Sequence, residues 1–98
     1  MSIEITYFTV KAGREEEFVT VFAERAIDYF IDSGATDIRI HRSVTDPTRF
    51  VKTSVWESRE ARLTNFSETQ RHQDFVALIG PYLAGPPTVD DYDVAFPS

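Results

Sequence analysis

The sequence predicts an α+β domain of the ferredoxin-like class, with the split βαβ element order β-α-β-β-α-β and an antiparallel sheet. Three observations lead to this prediction. Four segments alternate between apolar and polar residues, two longer regions carry apolar residues at helical spacing, and turn residues separate them. The chain has 98 residues, which fits a single domain over residues 1–98.

The first part of the chain predicts a strand followed by a long helix. Residues 3–10 alternate between two faces, and bulky side chains on both faces are typical of a strand that is at least partly covered on each side. After a turn at Gly13, residues 14–32 include three early glutamates, which suit the positive end of a helix dipole. Apolar residues follow at three- and four-residue spacing, and Gly34 favours the left-handed conformation that closes a helix.

The next part predicts a β-hairpin. Residues 36–44 and 50–56 alternate again, and the turn sequence Asp46-Pro47 lies between them. Because the connection is short, the two strands should pair in the antiparallel direction.

Helical segments and a final strand complete the predicted order. Ser58 is the predicted N-cap of a short helix, and the capping-box spacing from Ser67 to Gln70 predicts that the chain re-enters a helix after a kink. Residues 89–96 predict the last strand. Three aspartates in it are predicted to be solvated charges at the sheet edge, namely Asp90, Asp91 and Asp93.

The predicted sheet has one face without a cover. Two helices can cover only one side of a four-stranded sheet, and the alternation makes the other side substantially apolar as well. An apolar face of that size exceeds the few hundred Å² that monomers usually expose. The sequence therefore predicts a homodimer, sheet against sheet, which closes a dimeric α+β barrel.

Composition excludes several classes of function. The net charge of −6 comes from sixteen acidic and ten scattered basic residues, which argues against nucleic-acid binding. No apolar run is long enough to span a membrane, and no signal peptide is visible, so we expect no membrane association. Cysteine is absent, and no paired histidines or carboxylate cluster suggests a metal site. These features predict a cytoplasmic protein.

Several stretches resemble the antibiotic biosynthesis monooxygenase (ABM) domain. They are KAGREEEF at 11–18, HRSVTDPTRF at 41–50, VWESREA at 55–61 and LAGPP at 83–87. The resemblance extends over residues 3–96 and implies a dimeric α+β barrel, in agreement with the argument from patterning.

The resemblance also implies a class of function. Members of the family include small oxygenases that act on quinols or aromatic polyketides without metal or flavin. It therefore predicts a cofactor-independent monooxygenase, an oxidoreductase that holds a small aromatic or quinol-type substrate in an apolar pocket. The alternative is a non-catalytic dimeric barrel that binds a small ligand or serves in a stress response.

Cofactor-free oxygenation requires a group that removes a proton from the substrate and an apolar site that excludes water. Aromatic residues are the candidate walls of such a substrate-binding pocket, although each also fits an ordinary core position. They are Tyr7, Trp56, Phe66, Phe75 and Tyr92.

Two histidines are the candidate catalytic bases. His41 lies on the strand face opposite Ile38 and Ile40, and it would be the best-placed base if that face lines the barrel. His72 precedes Phe75 by three residues, which puts it on the inward side of its helix, and it resembles the second histidine of the family pattern. The alternative for each is a structural or surface role.

Asn65 marks a departure from the family. Many members carry a histidine seven residues after the serine of the W-E-S motif, and Asn65 occupies that place here. An asparagine cannot act as a base near neutral pH, so Asn65 is predicted either to orient substrate or to cap the kink before Ser67. Relatives that open the haem ring carry tryptophan at this place, with a later histidine and an asparagine in the first strand. Here Asn65, Phe75 and Thr6 stand there instead, which argues against haem degradation.

Overall fold

Four strands form one antiparallel sheet in the order β2-β3-β1-β4 in the computed structural model, which describes residues 1–97. The strands are β1 (Ser2–Thr9), β2 (Thr36–Arg42), β3 (Arg49–Trp56) and β4 (Thr88–Asp93). The two central strands pair over their full length, with Ser2 opposite Trp56 and Thr9 opposite Arg49. This order is that of the ferredoxin-like fold, so the predicted topology is confirmed.

The helices lie between the strands in sequence. Helix α1 covers residues 15–32 and consists of Glu15–Val21, a π-helical segment Phe22–Ala26, and Ile27–Asp32. Helix α2 covers residues 59–67 and consists of Arg59–Arg62 followed by a π-helical segment Leu63–Ser67. Helix α3 is Gln70–Ile79, and a 3₁₀ turn follows it at Gly80–Tyr82. The Ser58 hydroxyl accepts a hydrogen bond from the Ala61 amide at 3.0 Å, which confirms the predicted cap.

Two strands are shorter than the alternation predicted. β4 ends at Asp93, whose pairing partner is Ser2, the first residue of β1. β2 ends at Arg42 because the Ser43 hydroxyl accepts a hydrogen bond from the Asp46 amide and begins the turn.

Two other predictions were wrong in detail. Thr69, not Ser67, is the N-cap of α3, and its side chain makes no capping bond because its hydroxyl donates to the Phe66 carbonyl. The Ser67 hydroxyl instead accepts from the Arg62 guanidinium. Asp91 is not a solvated edge charge, since it forms a two-point ion pair with Arg62.

The core packs between the sheet and the helices and is largely aromatic. Phe18 contacts Phe8 and Phe50 at ring-centroid distances of 5.5 and 5.2 Å, while Phe30 contacts Phe66 and Phe75 at 4.6 and 4.8 Å. These rings account for much of the apolar surface that folding removes from water. Four of them, Phe8, Phe30, Phe66 and Phe75, also line a cavity.

Candidate functional site

A cavity of about 100 Å³ lies between the sheet and helices α2 and α3. Most of its surface is apolar, and the side chains that form the walls are Phe30, Phe66, Phe75, Ile79, Leu83 and Val89. An apolar cavity with a few polar groups is the usual form of a small-molecule site.

Four titratable groups also line the cavity. Glu4 and Lys52 come from the central strands, Arg62 comes from α2, and His72 comes from the first turn of α3. Glu4, Lys52 and Arg62 are buried, whereas His72 is half-buried. Buried charges are expensive unless they are paired, so their partners determine what each can do.

Glu4 is the centre of a buried hydrogen-bond network. Its Oε1 accepts bonds from Lys52 Nζ at 2.9 Å and Ser54 Oγ at 2.9 Å. The same oxygen accepts from Trp56 Nε1 at 3.0 Å, and Oε2 accepts from Thr6 Oγ1 at 2.6 Å. Strand pairing creates this arrangement, because Glu4 lies opposite Ser54 and Thr6 lies opposite Lys52.

Lys52 is both paired and stacked. Its side chain is 1% exposed, its Nζ donates to Glu4, and the same nitrogen lies 3.4 Å from the centroid of the Phe30 ring. The ring face attracts a cation through its quadrupole, which complements the carboxylate on the other side.

Burial and pairing shift the pKa values of Lys52 and Glu4 in opposite directions. Burial lowers the pKa of Lys52, the attraction of Glu4 opposes it, and the result is a pKa of about 8. Burial raises the pKa of Glu4, but the Lys52 charge and the hydrogen bonds from Thr6, Lys52 and Trp56 outweigh it, so this pKa is lowered. Both groups are therefore charged at neutral pH.

Arg62 forms the second polar cluster beside the cavity. Its Nε and one terminal nitrogen donate to the two carboxylate oxygens of Asp91 at 2.7 and 2.6 Å, and the other terminal nitrogen donates to Ser67 at 2.8 Å. This bidentate geometry is the strongest form of an arginine–carboxylate pair. It ties α2 to the edge strand β4 and closes that side of the cavity.

His72 contacts the cavity through its ring. The imidazole packs edge-on against Phe66, with a centroid distance of 5.4 Å and an interplanar angle of 89°. Three of the predicted site residues, His72, Phe66 and Phe75, therefore line one cavity.

The structure places two other predicted site residues on the opposite side of the sheet. His41 is exposed there, and its Nε2 lies 3.0 Å from the Thr53 hydroxyl. Tyr7, 39% exposed, belongs to the same face because side chains alternate along β1 and Glu4 and Phe8 point to the helices.

Asn65 and Trp56 take up positions outside the cavity wall. Asn65 is exposed on the π-helical segment of α2. Trp56 is buried, and its ring packs near Phe66 at 6.2 Å while its indole N–H reaches Glu4. Trp56 thus supports the site through the carboxylate of Glu4.

Glu4, Lys52 and Arg62 were not among the site residues that the sequence predicted. The available signal was the placement of Glu4 and Thr6 on the same strand face as Phe8, and of Lys52 and Ser54 on the same face as Phe50. A polar residue that shares a face with core aromatics needs a buried partner.

Residues 1–97 contain no group of three or more histidine or carboxylate side chains arranged to hold a metal ion. In the same residues, no helix combines the length and the apolar character needed to cross a bilayer.

The chain belongs to the antibiotic biosynthesis monooxygenase family, whose profile matches residues 1–78. The resemblance that the sequence motifs indicated is thereby confirmed. None of the curated proteins is similar enough to match the chain.

Solved structures agree with this assignment. A Bordetella bronchiseptica protein assigned as an antibiotic biosynthesis monooxygenase is 27% identical, with a TM-score of 0.89 and 97% of each chain covered. A protein from Nitrosomonas europaea with the same assignment is 23% identical, with a TM-score of 0.78 over 98% of this chain and 100% of that one.

A variant of SnoaB, a cofactor-independent oxygenase from Streptomyces nogalater, shares the fold. Its TM-score is 0.78 at 17% identity, and the match covers 99% of this chain and 97% of that one. At this identity, the similarity concerns the fold alone.

Proposed function

We propose that the protein is a cofactor-independent monooxygenase that oxidises a small hydroxyaromatic or quinol-type substrate in the cavity between sheet and helices. One observation carries the proposal: a mostly apolar cavity that brings His72 together with Phe66 and Phe75. Membership of the ABM family supports the reaction class.

The reaction needs little from the protein besides proton removal and shelter from water. An aromatic C–H group becomes a carbonyl, one oxygen atom of O₂ enters the ring, and the other leaves as water. The substrate supplies all four electrons, provided that its hydroxyl is first deprotonated to an electron-rich anion. His72 is the proposed base, because histidine changes charge near neutral pH and this ring lines the cavity.

Binding without turnover is the second candidate function. It is favoured by the exposed position of Asn65, which stands where many family members carry a histidine. The position of His41 also favours it, because His41 lies on the opposite face of the sheet and is not beside the cavity. Of the two candidate bases, His72 is the one that lines the cavity within residues 1–97.

Oxygen uptake with a panel of quinols and phenols tests the two candidates. Replacing His72 by alanine is expected to lower turnover about 10²- to 10⁴-fold, the usual contribution of a positioned base. His41→Ala is the matched control, because His41 lies outside the cavity, and its turnover should equal that of the wild type. Equal rates in all three proteins would contradict the role of His72. Ligand binding without oxygen uptake on any compound would favour the second candidate.

We further propose that the protein is a homodimer that joins the open faces of two sheets. Ile3, Ile5, Val51 and Val55 lie half-buried on this face, and Tyr92 is 49% exposed beside them. An open sheet face that carries apolar side chains of this kind commonly marks an interaction site.

A charge placed in this face should separate the two subunits. Val51→Glu is expected to give a monomer, because a carboxylate would be buried without a partner in the interface. Val44→Glu is the control, since Val44 is fully exposed in the β2–β3 turn. Sedimentation equilibrium at micromolar concentration measures the mass of each, and a wild-type monomer would refute the dimer.

A further inference from the structure

We propose that Lys52 is the cation that binds the ionised oxygen of a hydroxyaromatic ligand in the cavity, so that the site prefers the anion over the neutral phenol. This inference rests on the proposed function and specifies the form of the substrate that the site holds. It follows from a count of the donors and acceptors around the cavity.

Glu4 is a poor partner for a ligand hydroxyl, because four donors already hold its carboxylate. Its Oε1 accepts from Lys52, Ser54 and Trp56, and its Oε2 accepts a short bond from Thr6. A carboxylate held by four donors is stabilised in its charged form and is a poor proton acceptor. Another group is therefore better placed to make the polar contact that orients a ligand.

The Lys52 ammonium has N–H donors without an acceptor. An ammonium group carries three N–H bonds, and within residues 1–97 the Lys52 ammonium donates one hydrogen bond, to Glu4. The Phe30 ring lies 3.4 Å from Nζ and provides a weaker, delocalised partner. An ammonium that is 1% exposed and short of acceptors is costly, and an anionic oxygen in the adjoining cavity would relieve that cost.

Arg62 is less suited to this role although it lines the same cavity. All three of its nitrogens already donate, two to Asp91 at 2.7 and 2.6 Å and one to Ser67, and these bonds hold the planar guanidinium in place although two of its five N–H bonds have no partner within residues 1–97. Asp91 also pairs with the exposed Arg59 at 3.4 Å. Lys52 uses one of its three N–H bonds and shares its carboxylate with three neutral donors. The remaining titratable group of the cavity wall is His72, which would accept the proton that the ligand releases.

The walls suit an aromatic ring beside this cation. Phe66 and Phe75 line the cavity with centroids 5.9 Å apart, and Phe30 joins them while also lying beneath the Lys52 ammonium. A ligand ring among these side chains would carry its oxygen toward Lys52. Burial lowers the pKa of Lys52 to about 8 in the free protein. A bound anion would raise this pKa again, so the preference for the anion should fade only at a pH above that value.

4-Nitrophenol tests the inference, because its ionised form absorbs visible light and the spectrum reports which form is bound. The wild type should bind the ionised form more tightly than the neutral form, and thus lower the apparent pKa of the bound probe. The double variant Glu4→Gln/Lys52→Met removes both charges without leaving one buried alone. It should lose affinity for the ionised form by about 10- to 100-fold, the value of a hydrogen bond to a charged group.

Lys11→Met is the control, because it removes an exposed lysine and should behave as the wild type. Glu4→Gln removes the carboxylate that keeps the buried Lys52 ammonium charged, so it should also weaken the preference for the anion. Equal affinity of the wild type for both forms of the probe, or an undiminished preference in the double variant, would overturn the role of Lys52. In either case, a wild type that still binds the probe would remain consistent with the proposed function. A wild type that binds neither form would count against both proposals.

Discussion

Replacing Lys52 by methionine is expected to lower the free energy of unfolding by about 3–5 kcal/mol, the usual cost of breaking a buried ion pair on one side. Methionine fills similar space, but it leaves the Glu4 carboxylate buried without its cation. Ser54, Trp56 and Thr6 would still donate to that carboxylate, yet none of them carries charge. Urea denaturation, with the slope compared between variants, measures the effect.

The double variant distinguishes the contribution of the charges to stability from the contribution of side-chain packing. Because Glu4→Gln/Lys52→Met removes both charges and nearly preserves volume, we expect its stability to lie closer to that of the wild type than to that of Lys52→Met. A double variant as unstable as the single one would show that packing of the lysine stem, not its charge, sets the cost.

Replacing Phe30 by alanine is expected to cost about 3–5 kcal/mol, the usual range for truncating a buried phenylalanine. The Phe30 ring contacts Phe66 and Phe75 at 4.6 and 4.8 Å and also supports the Lys52 ammonium. Its loss would enlarge the cavity and leave the cation with fewer partners. Thermal or urea unfolding measures the change.

Two further variants show whether the loss of stability comes from the buried ring. Ile31→Ala alters the adjacent residue, which is 53% exposed, and should change stability by less than about 0.5 kcal/mol. Phe30→Leu keeps most of the apolar bulk and removes the ring, so its cost reports the loss of the ring's contacts with Lys52, Phe66 and Phe75. A Phe30→Ala protein as stable as Ile31→Ala would contradict the described core.

The element order could be predicted because it depends on local patterns. The period-two alternation of residues 3–10, the apolar stripe of α1 and the cap at Ser58 each act within a few residues. The strand ends were less accurate, because they depend on where a partner strand begins. β4 stops at Asp93, whose pairing partner is the first residue of β1.

The candidate site could be predicted only in part. His72, Phe66 and Phe75 line one cavity, in keeping with the helical spacing that places them on the inward side of α2 and α3. His41 and Tyr7 lie on the other face of the sheet, since alternation divides a strand into two faces without saying which one the helices cover.

What the sequence determined by itself was the ferredoxin-like order, the family and the supply of aromatic residues. Only the tertiary structure decided which face of the central strands is buried against the helices. It is the face that carries both polar and aromatic residues, with Glu4 and Lys52 among phenylalanines. The physical reason is register. With Glu4 opposite Ser54 and Thr6 opposite Lys52, each buried polar group finds its partner on the neighbouring strand, 48 residues away in the case of Lys52 and Glu4.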